Sequence, residues 1–236
     1  MSAKIIVSYD GTANEDDAIA LGGLFARAGA EVALAYVRHT HEPDRDRETL
    51  AQHEAQALLE RGVELLGVPG AGMHVVTDRS TPEGLGALAE QIGADAIVFC
   101  SDSHTAKGHV TIGNSAQRLL EGGPAAIAIA PAGLAETDGA KARVKRIVAV
   151  GEAGGDGSAQ RTAQALAGAL GGEVVPVADD AADLLVIDSR VDAEPGRTSL
   201  SSSAEHLIEI ATCAVLVVPH GVALKFAGAP AAAVTA

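Results

Sequence analysis

The sequence predicts a two-lobed α/β fold in which parallel sheets carry helices on both faces. Short β-branched runs alternate with segments of helical periodicity, and this alternation favours parallel pairing. One block also occurs twice: residues 113–131 align without a gap to residues 201–219, and DAIVFC from Asp95 aligns to DLLVID from Asp183. All of these pairs are 88 residues apart, which indicates a duplicated α/β unit.

The second copy is shorter than the first. KIIVSYDG from Lys4 corresponds to KRIVAVGE from Lys145 at an offset of 141 residues, whereas the ends of the copies are offset by 88. The difference, 141 minus 88, leaves 53 residues missing, so we expect the second lobe to lack one strand and two helices. The intact lobe is the better place for a ligand site. The predicted organisation is an intact domain at 1–131, a linker at 132–143, a truncated domain at 144–221 and a C-terminal tail at 222–236.

In the first lobe, apolar β-branched runs that end in turn residues predict five strands. These strands occupy residues 5–9, 31–37, 74–77, 96–99 and 125–130. The first helix shows apolar residues at helical spacing from Ala18 to Ala28 and stops at Gly29. Thr81 and Pro82 open the third helix as its cap and first helical residue. The predicted helices occupy residues 15–28, 47–66, 81–92 and 114–121.

The second lobe repeats this order in a reduced form. Strands are predicted at 146–150, 173–177, 184–187 and 214–218, and helices at 158–170 and 204–210. The segment before this lobe is rich in Ala, Gly and charge, which is typical of a linker. From Gly228 the chain reads GAPAAAVTA, a composition that favours disorder.

Composition excludes several functions. A net charge of −14 disfavours nucleic acid and anionic membrane surfaces as partners, because both would repel the chain. No apolar run approaches the length needed to cross a bilayer, and no signal peptide is expected. The two cysteines, Cys100 and Cys213, show no pairing pattern, so we expect free, buried thiols and a cytoplasmic setting.

A candidate site lies where the first and fourth strands end. Ligands bind open parallel sheets at the carboxyl ends of strands where the winding direction reverses. The first strand delivers Asp10 there, and the fourth delivers a loop from Cys100 to Gly113 and a helix start at Asn114. Free amides at that helix start suit a phosphate, and a carboxylate suits a ribose hydroxyl or a base amine. The alternative is ordinary turn chemistry at Asp10 and a helix cap at Gly113.

These residues resemble those of the universal stress proteins, over nearly all of both halves. The resemblance rests on YDG at the end of the first strand and on the pattern after DAIVFC. ATP-binding members of the family carry G-x2-G-x9-G-[ST] from the end of the fourth strand. Here the spacing is kept, but the four positions read Cys100, Ser103, Gly113 and Asn114, so one of three glycines survives.

The resemblance implies ATP or AMP as the ligand of the first lobe, with Mg²⁺ only as the companion of ATP. Val37 matches the position whose backbone faces adenine in ATP-binding members. The residues implied as the binding site are Asp10, Val37, Cys100, Ser103, Gly113, Asn114 and Ser115. The second lobe is not expected to bind a nucleotide, because Gly151 replaces Asp10 there and Asp188 would repel phosphates.

The resemblance also implies two flavodoxin-like lobes of the adenine nucleotide alpha hydrolase type. We expect strand order 3-2-1-4-5 in the first lobe and 2-1-4-5 in the second, with the fifth strands meeting in an internal pseudo-dimer. The missing elements should uncover an apolar face of the second lobe, which predicts a homo-oligomer. The strand residues at risk of exposure are Val148, Val150, Val186 and Ile187.

The function expected from the resemblance is stress-linked binding or signalling, without enzymatic turnover. One alternative is a structural or interaction protein of the same fold that has lost its nucleotide. Another is a nucleotide-dependent enzyme, such as an adenylate-forming ligase or an electron-transfer flavoprotein subunit. The ligase is disfavoured because no S-G-G-x-D-S loop follows the first strand, and the flavoprotein because the chain is small and poor in aromatics.

Four further groups favour simple interpretations. His39 and His41 share a loop but lack a third metal ligand, so we expect solvated histidines. His104 and His109 are expected to be exposed loop residues. The run 201–203 of three serines lacks a nucleophile elbow and predicts a helix start. The acids at positions 16, 17, 44 and 46 are expected to be solvated residues at helix starts.

Overall fold

The computed structural model describes residues 2–12, 14–40, 42–137, 144–176 and 182–227. Its strands are β1 Lys4–Ser8, β2 Glu31–Arg38, β3 Gly72–Thr77, β4 Ala96–Cys100, β5 Ala126–Ala130, β6 Arg146–Val150, β7 Glu173–Val175, β8 Leu184–Asp188 and β9 Ala214–Val218. Its helices are α1 Glu15–Arg27, α2 Arg45–Leu66, α3 Thr81–Ile92, α4 Asn114–Leu119, α5 Ser158–Leu170 and α6 Ser202–Glu209, with a 3₁₀ turn at Leu134–Glu136. Most predicted elements are present, with ends shifted by a few residues.

The nine described strands form one sheet in the order β3-β2-β1-β4-β5-β9-β8-β6-β7. The first lobe has the order 3-2-1-4-5. In the second lobe β6, β7, β8 and β9 correspond to strands 1, 2, 4 and 5, so its order is 2-1-4-5. Both predicted strand orders are confirmed. Pairing is parallel within each lobe and antiparallel where β5 meets β9, with Ile127 opposite Val217 and Ile129 opposite Val215. The fifth strands therefore join the two lobes, as predicted. Within the described residues the second lobe has no counterpart of α2, β3 or α3.

The duplication extends to single hydrogen bonds. The Asp95 carboxylate accepts a hydrogen bond from the backbone N–H of Lys4 at 2.8 Å, and the Asp183 carboxylate accepts one from Lys145 at 2.8 Å. In each lobe this contact ties the residue before the fourth strand to the start of the first. Relative to Lys4 and Lys145 the registers differ by one residue, because Ile5 lies opposite Ala96 and Ile147 lies opposite Leu184.

The core consists of two apolar layers, one on each face of the sheet. One layer packs side chains of α1, α2 and α5 against the strands, including the fully buried Phe25. The other packs α3, α4 and α6, through residues such as Leu85 and Ile208. Every residue of β5 and β9 is buried, so these strands form the centre of the molecule. Small and branched side chains suit strands covered on both faces.

The prediction of an exposed apolar face on the second lobe is wrong. Val148, Val186 and Ile187 are buried, and Val150 is half-buried. Val148 and Ile187 pack in the layer of α3, α4 and α6, and Val186 packs in the layer of α5. The exposed patch that predicted a homo-oligomer is therefore absent from the described residues.

The segment after β9 helps to close this core. The backbone N–H of Leu224 donates to the Thr162 hydroxyl on α5 at 3.0 Å. The Lys225 carbonyl accepts from Ala3 at 2.8 Å, and Phe226 stacks on Phe25 of α1 with ring centroids 6.0 Å apart. Residues 222–227 therefore bridge the lobes instead of forming a free tail. The predicted disorder from Gly228 lies outside the described residues.

Two other expectations are corrected near the linker. Asp17 is buried instead of solvated, and its carboxylate accepts hydrogen bonds from the N–H groups of Gly133 at 2.8 Å and Ala135 at 2.7 Å. The first half of the predicted linker is thus held against α1, and residues 138–143 lie outside the described residues. The cap of α3 is Ser80 instead of Thr81, because the helix itself begins at Thr81.

Candidate functional site

A cavity of about 720 Å³ opens at the carboxyl ends of β1, β2 and β4, beside the start of α4. All seven predicted site residues line it: Asp10, Val37, Cys100, Ser103, Gly113, Asn114 and Ser115. The structure therefore brings together residues that are up to 105 positions apart, from Asp10 to Ser115. This is the edge where the winding of the first lobe reverses, as expected for an open parallel sheet.

The turn after β1 forms one side of the cavity. Gly11 has φ +81°, a backbone conformation that favours glycine, and a Cβ atom at this position would lie 2.4 Å from Leu58 Cδ1 and displace that methyl group. The Asp10 carboxylate accepts a hydrogen bond from the N–H of Thr12 at 2.9 Å, while the residue stays exposed. The turn thus presents a carboxylate that can accept further hydrogen bonds from a hydroxyl or an amine.

Glu15 is a cavity residue that the sequence analysis missed. It is 8% exposed and accepts hydrogen bonds from the N–H groups of Asp10 and, at 3.1 Å, Gly11. Burial and then a hydrogen bond with the Asp10 side chain raise the pKa of Glu15 to about 8. The sequence signal was three consecutive acids at 15–17, but their pattern did not show which of them points inwards.

The wall from β4 begins at Cys100. Burial and then the nearby Glu15 raise the pKa of the Cys100 thiol to about 12, so the thiol stays neutral. The next residue, Ser101, is buried; its hydroxyl donates to the Ala130 carbonyl at 2.7 Å and accepts from the N–H of Thr111 at 3.2 Å. These two bonds hold both ends of the loop that leads to α4. Cys100 and Cys213 are free and partly buried, in line with the expected unpaired thiols.

The start of α4 completes the side opposite Asp10. Gly113 precedes the helix in an extended conformation, and no side chain caps the helix. The first N–H groups of a helix have no partner within it, so the amides of Asn114 and Ser115 are available to an acceptor. A Cβ atom on Gly113 would have no neighbour within 4 Å, so packing does not require glycine there.

The end of β2 supplies the apolar wall. Val37 is buried, and its backbone follows Ala35 and Tyr36 along the cavity. His39 is exposed at the rim, with its Nε2 atom 3.4 Å from the Thr81 hydroxyl.

The cavity is acidic. Its lining includes Asp10, Glu15 and Asp102, and among the described residues that line it there is no Lys or Arg. Any phosphate in this cavity would therefore depend on backbone amides and hydroxyls instead of a cationic side chain.

Within the described residues there is no group of three or more His, Cys, Asp or Glu side chains suited to a metal ion. His41 lies outside the described residues, so its relation to His39 is not defined. His104 and His109 are exposed, as expected, and His104 lies 3.3 Å from the Asp102 carboxylate. No helix in the described parts of the chain is long and apolar enough to cross a membrane.

The matching region of the second lobe is occupied by the protein itself. Asp188, the counterpart of Cys100, is buried and accepts a hydrogen bond from the N–H of Ala159 at the start of α5. The Ser201 hydroxyl donates to the Glu152 carboxylate and accepts from Ala204 at 3.2 Å, so it caps α6 as predicted. At the start of α6, the counterpart of α4, the Ser201 hydroxyl and the Glu152 carboxylate bound to it thus lie where an anionic ligand would otherwise bind.

The fold and the position of the cavity define a flavodoxin-like α/β protein with a site at the carboxyl edge of its first lobe. The profile described as "Universal stress protein family" matches residues 1–131. The chain therefore belongs to the universal stress protein family. Among curated protein sequences, none matches this chain at a significant level.

Solved structures share the whole two-lobed fold. A universal stress protein from Archaeoglobus fulgidus DSM 4304 is 16% identical, with a TM-score of 0.68 over 94% of this chain and 100% of that one. A putative universal stress protein from Pseudomonas aeruginosa UCBPP-PA14 is 14% identical, with a TM-score of 0.57 over 93% and 94%. A functionally unknown protein from Pseudomonas aeruginosa PAO1 is 15% identical, with a TM-score of 0.57 over 93% of each chain. At these identities the similarity shows the fold.

Proposed function

We propose that this chain is a stress-response binding or signalling protein that binds AMP or ATP in the first lobe, without enzymatic turnover. The observation that carries the proposal is the convergence of all seven predicted residues on one cavity of about 720 Å³. Membership of the family makes an adenine nucleotide the first ligand to test. The cytoplasmic setting stays a prediction.

The parts of a nucleotide match the parts of the cavity. Adenine fits against the apolar wall at Val37, where backbone groups at the end of β2 can pair with its edge. The ribose hydroxyls can donate to the Asp10 carboxylate. The phosphate then reaches the amides of Asn114 and Ser115 at the start of α4. If ATP is the ligand, Mg²⁺ accompanies its phosphates.

The second candidate is a structural or interaction protein without a nucleotide. It is favoured by Cys100 and Ser103, whose side chains stand where ATP-binding members of the family carry glycine. It is also favoured by the lack of Lys or Arg among the described lining residues. Both features act against a triphosphate more than against AMP, because more phosphate groups require more close backbone contacts. Self-association also stays a prediction, which light scattering over a tenfold dilution tests.

Calorimetric titration with AMP, and with ATP and Mg²⁺, decides between the candidates. The proposal expects one saturable site per chain and adenine nucleotide released by acid from the purified protein. An absence of binding up to millimolar nucleotide, together with no nucleotide in the acid extract, would favour the structural candidate. Turnover is tested separately, by following phosphate release from ATP at saturating protein.

A further inference from the structure

Glu15 lies beneath the turn that presents Asp10 to the cavity. Its carboxylate accepts hydrogen bonds from the N–H groups of Asp10 and Gly11, and it is 8% exposed. It also lines the cavity together with Cys100, on the opposite wall. One buried side chain thus contacts both the ligand space and the backbone that positions Asp10.

The ionisable groups around Glu15 give it no cationic partner in the cavity lining. Those on the surrounding elements are Tyr9 and Asp10 at the end of β1, Asp16 and Asp17 on α1, His39 after β2, Arg61 on α2, and Cys100 and Asp102 at the end of β4. The positive charge of Arg61 lowers the pKa of Tyr9, and Arg61 is not among the residues that line the cavity. An ionised Glu15 would therefore add to the negative charge of Asp10.

The balance of these effects favours a neutral Glu15 near neutral pH. Burial raises its pKa most, the hydrogen bond with the Asp10 side chain raises it further, and the two backbone N–H groups lower it, with a result of about 8. The neutral carboxyl can donate its proton to the Asp10 carboxylate, which leaves Asp10 charged and oriented. Of the two carboxyl groups at this turn, only Asp10 is then charged.

We propose that Glu15 is the specificity-determining residue of this cavity: in its protonated form it admits a phosphorylated nucleotide, and its ionisation repels one. The inference rests on the proposed function. Repulsion grows with the charge of the ligand, so ionisation disfavours ATP most, AMP less and adenosine least. Nucleotide binding is therefore coupled to one proton.

The test compares the wild type with Glu15→Gln, which keeps a neutral hydrogen-bonding group, and with the control Glu31→Gln, an exposed position at the opposite edge of the sheet. AMP and adenosine are titrated by calorimetry between pH 7 and 9.5. AMP keeps nearly the same charge in this range because its phosphate titrates at about pH 6. Thermal unfolding monitors that each variant is folded.

The wild type and Glu31→Gln should lose about tenfold in AMP affinity across this range, within the usual scale of coupling between two sites. The midpoint should lie near the pKa of about 8 expected for Glu15. Adenosine affinity should change by less than about twofold, because adenosine carries no phosphate charge. Glu15→Gln should bind AMP with nearly constant affinity. By reciprocity, AMP should raise the pKa of Glu15 by a matching amount, measured by carboxyl ¹³C NMR with Glu15→Gln as the assignment control.

Parallel pH profiles for AMP in the wild type and Glu15→Gln would overturn the inference while leaving the proposed function intact. A Glu15 resonance that titrates near the ordinary glutamate range in the free protein would also overturn it. If AMP binds neither variant at any pH, the proposed function fails, and this inference fails with it.

Discussion

Ser101 and Ser189 make the same two hydrogen bonds in the two lobes, 88 residues apart. Each hydroxyl donates at 2.7 Å to the carbonyl of the last residue of the fifth strand, Ala130 or Val218. Each also accepts from a backbone N–H ten residues later, Thr111 at 3.2 Å and Ser199 at 3.1 Å. The same hydrogen bonds thus hold the loop after the fourth strand in both lobes. The first lobe has an open cavity beside this loop, whereas protein side chains occupy the corresponding region of the second lobe. The two hydrogen bonds therefore do not depend on whether the lobe has an open cavity.

Replacing either serine by alanine should destabilise the fold to a similar extent. Each change removes both hydrogen bonds of a buried hydroxyl and leaves the Thr111 or Ser199 N–H without this acceptor, which costs about 1–3 kcal/mol. The Val218 carbonyl keeps a hydrogen bond from the Ser189 N–H at 3.1 Å, so the loss for Ser189→Ala should lie at the lower end of this range. Urea unfolding should show this loss for Ser101→Ala and Ser189→Ala but not for the exposed Ser203→Ala. Nucleotide affinity should fall for Ser101→Ala alone. Equal effects of both changes on affinity would contradict a site confined to the first lobe.

Asp10→Ala should remove the carboxylate that accepts from the ribose. A hydrogen bond to a charged group contributes about 1.5–3 kcal/mol, so the Kd for AMP should rise about tenfold to a hundredfold. Calorimetry measures the change, with Asp192→Ala, an exposed acid in the second lobe, as the matched control. An unchanged Kd for Asp10→Ala would show that the nucleotide lies elsewhere.

Gly113→Val should abolish nucleotide binding while leaving the fold intact. The conformation of Gly113 is extended, and an added Cβ atom would have no protein neighbour within 4 Å, so a side chain can begin there without a clash at its first carbon. The same side chain would fill the space in front of the Asn114 and Ser115 amides and keep a phosphate away. The expected result is an unchanged unfolding midpoint with no measurable AMP binding. Normal binding by this variant would exclude α4 as the phosphate site.

Much of the fold could be predicted from the sequence because the duplication constrains it twice. The change in offset between the copies indicated that the second lobe lacks one strand and two helices. The apolar sequences of β5 and β9 indicated that these strands meet at a buried junction. The site residues could be placed together because the carboxyl ends of neighbouring parallel strands share one edge. None of this needed side-chain detail.

The side-chain environments could not be predicted in the same way. The acids at 15–17 look alike in sequence, yet Glu15 and Asp17 are buried and Asp16 is exposed. Their burial depends on partners distant along the chain, such as Gly133 for Asp17. The covered face of the second lobe was missed for a similar reason, because Val148, Val150 and Ile187 pack in the layer of α3, α4 and α6, against side chains distant along the chain.

Stability should fall as the pH rises from about 5 to 9, and Glu15 should account for part of the loss. Its pKa is about 8 in the folded protein against 4.5 in the unfolded chain, so the folded state binds more protons in this range. Below pH 4.5 Glu15 is neutral in both states, so its burial does not lower the free energy of unfolding. Above pH 8 the buried group is charged, and the loss of stability is largest. Glu15→Gln should be more stable than the wild type at pH 9 by about 1–3 kcal/mol and similar at pH 5. Urea unfolding at both pH values measures this, and a constant difference would contradict the assigned pKa.

Phe226→Ala tests whether the segment after β9 belongs to the folded core. Phe226 is half-buried and stacks on the fully buried Phe25 of α1, so its removal uncovers apolar surface of the first lobe. A fully buried Phe→Ala change costs about 3–5 kcal/mol, and partial burial should reduce this to about 1–3 kcal/mol. Val222→Ala, at a position 37% exposed, is the control and should change stability little. A single urea transition that shifts for Phe226→Ala alone would show that the bridge joins the two lobes cooperatively. Equal midpoints for both variants would mean that residues 222–227 contribute nothing to the fold.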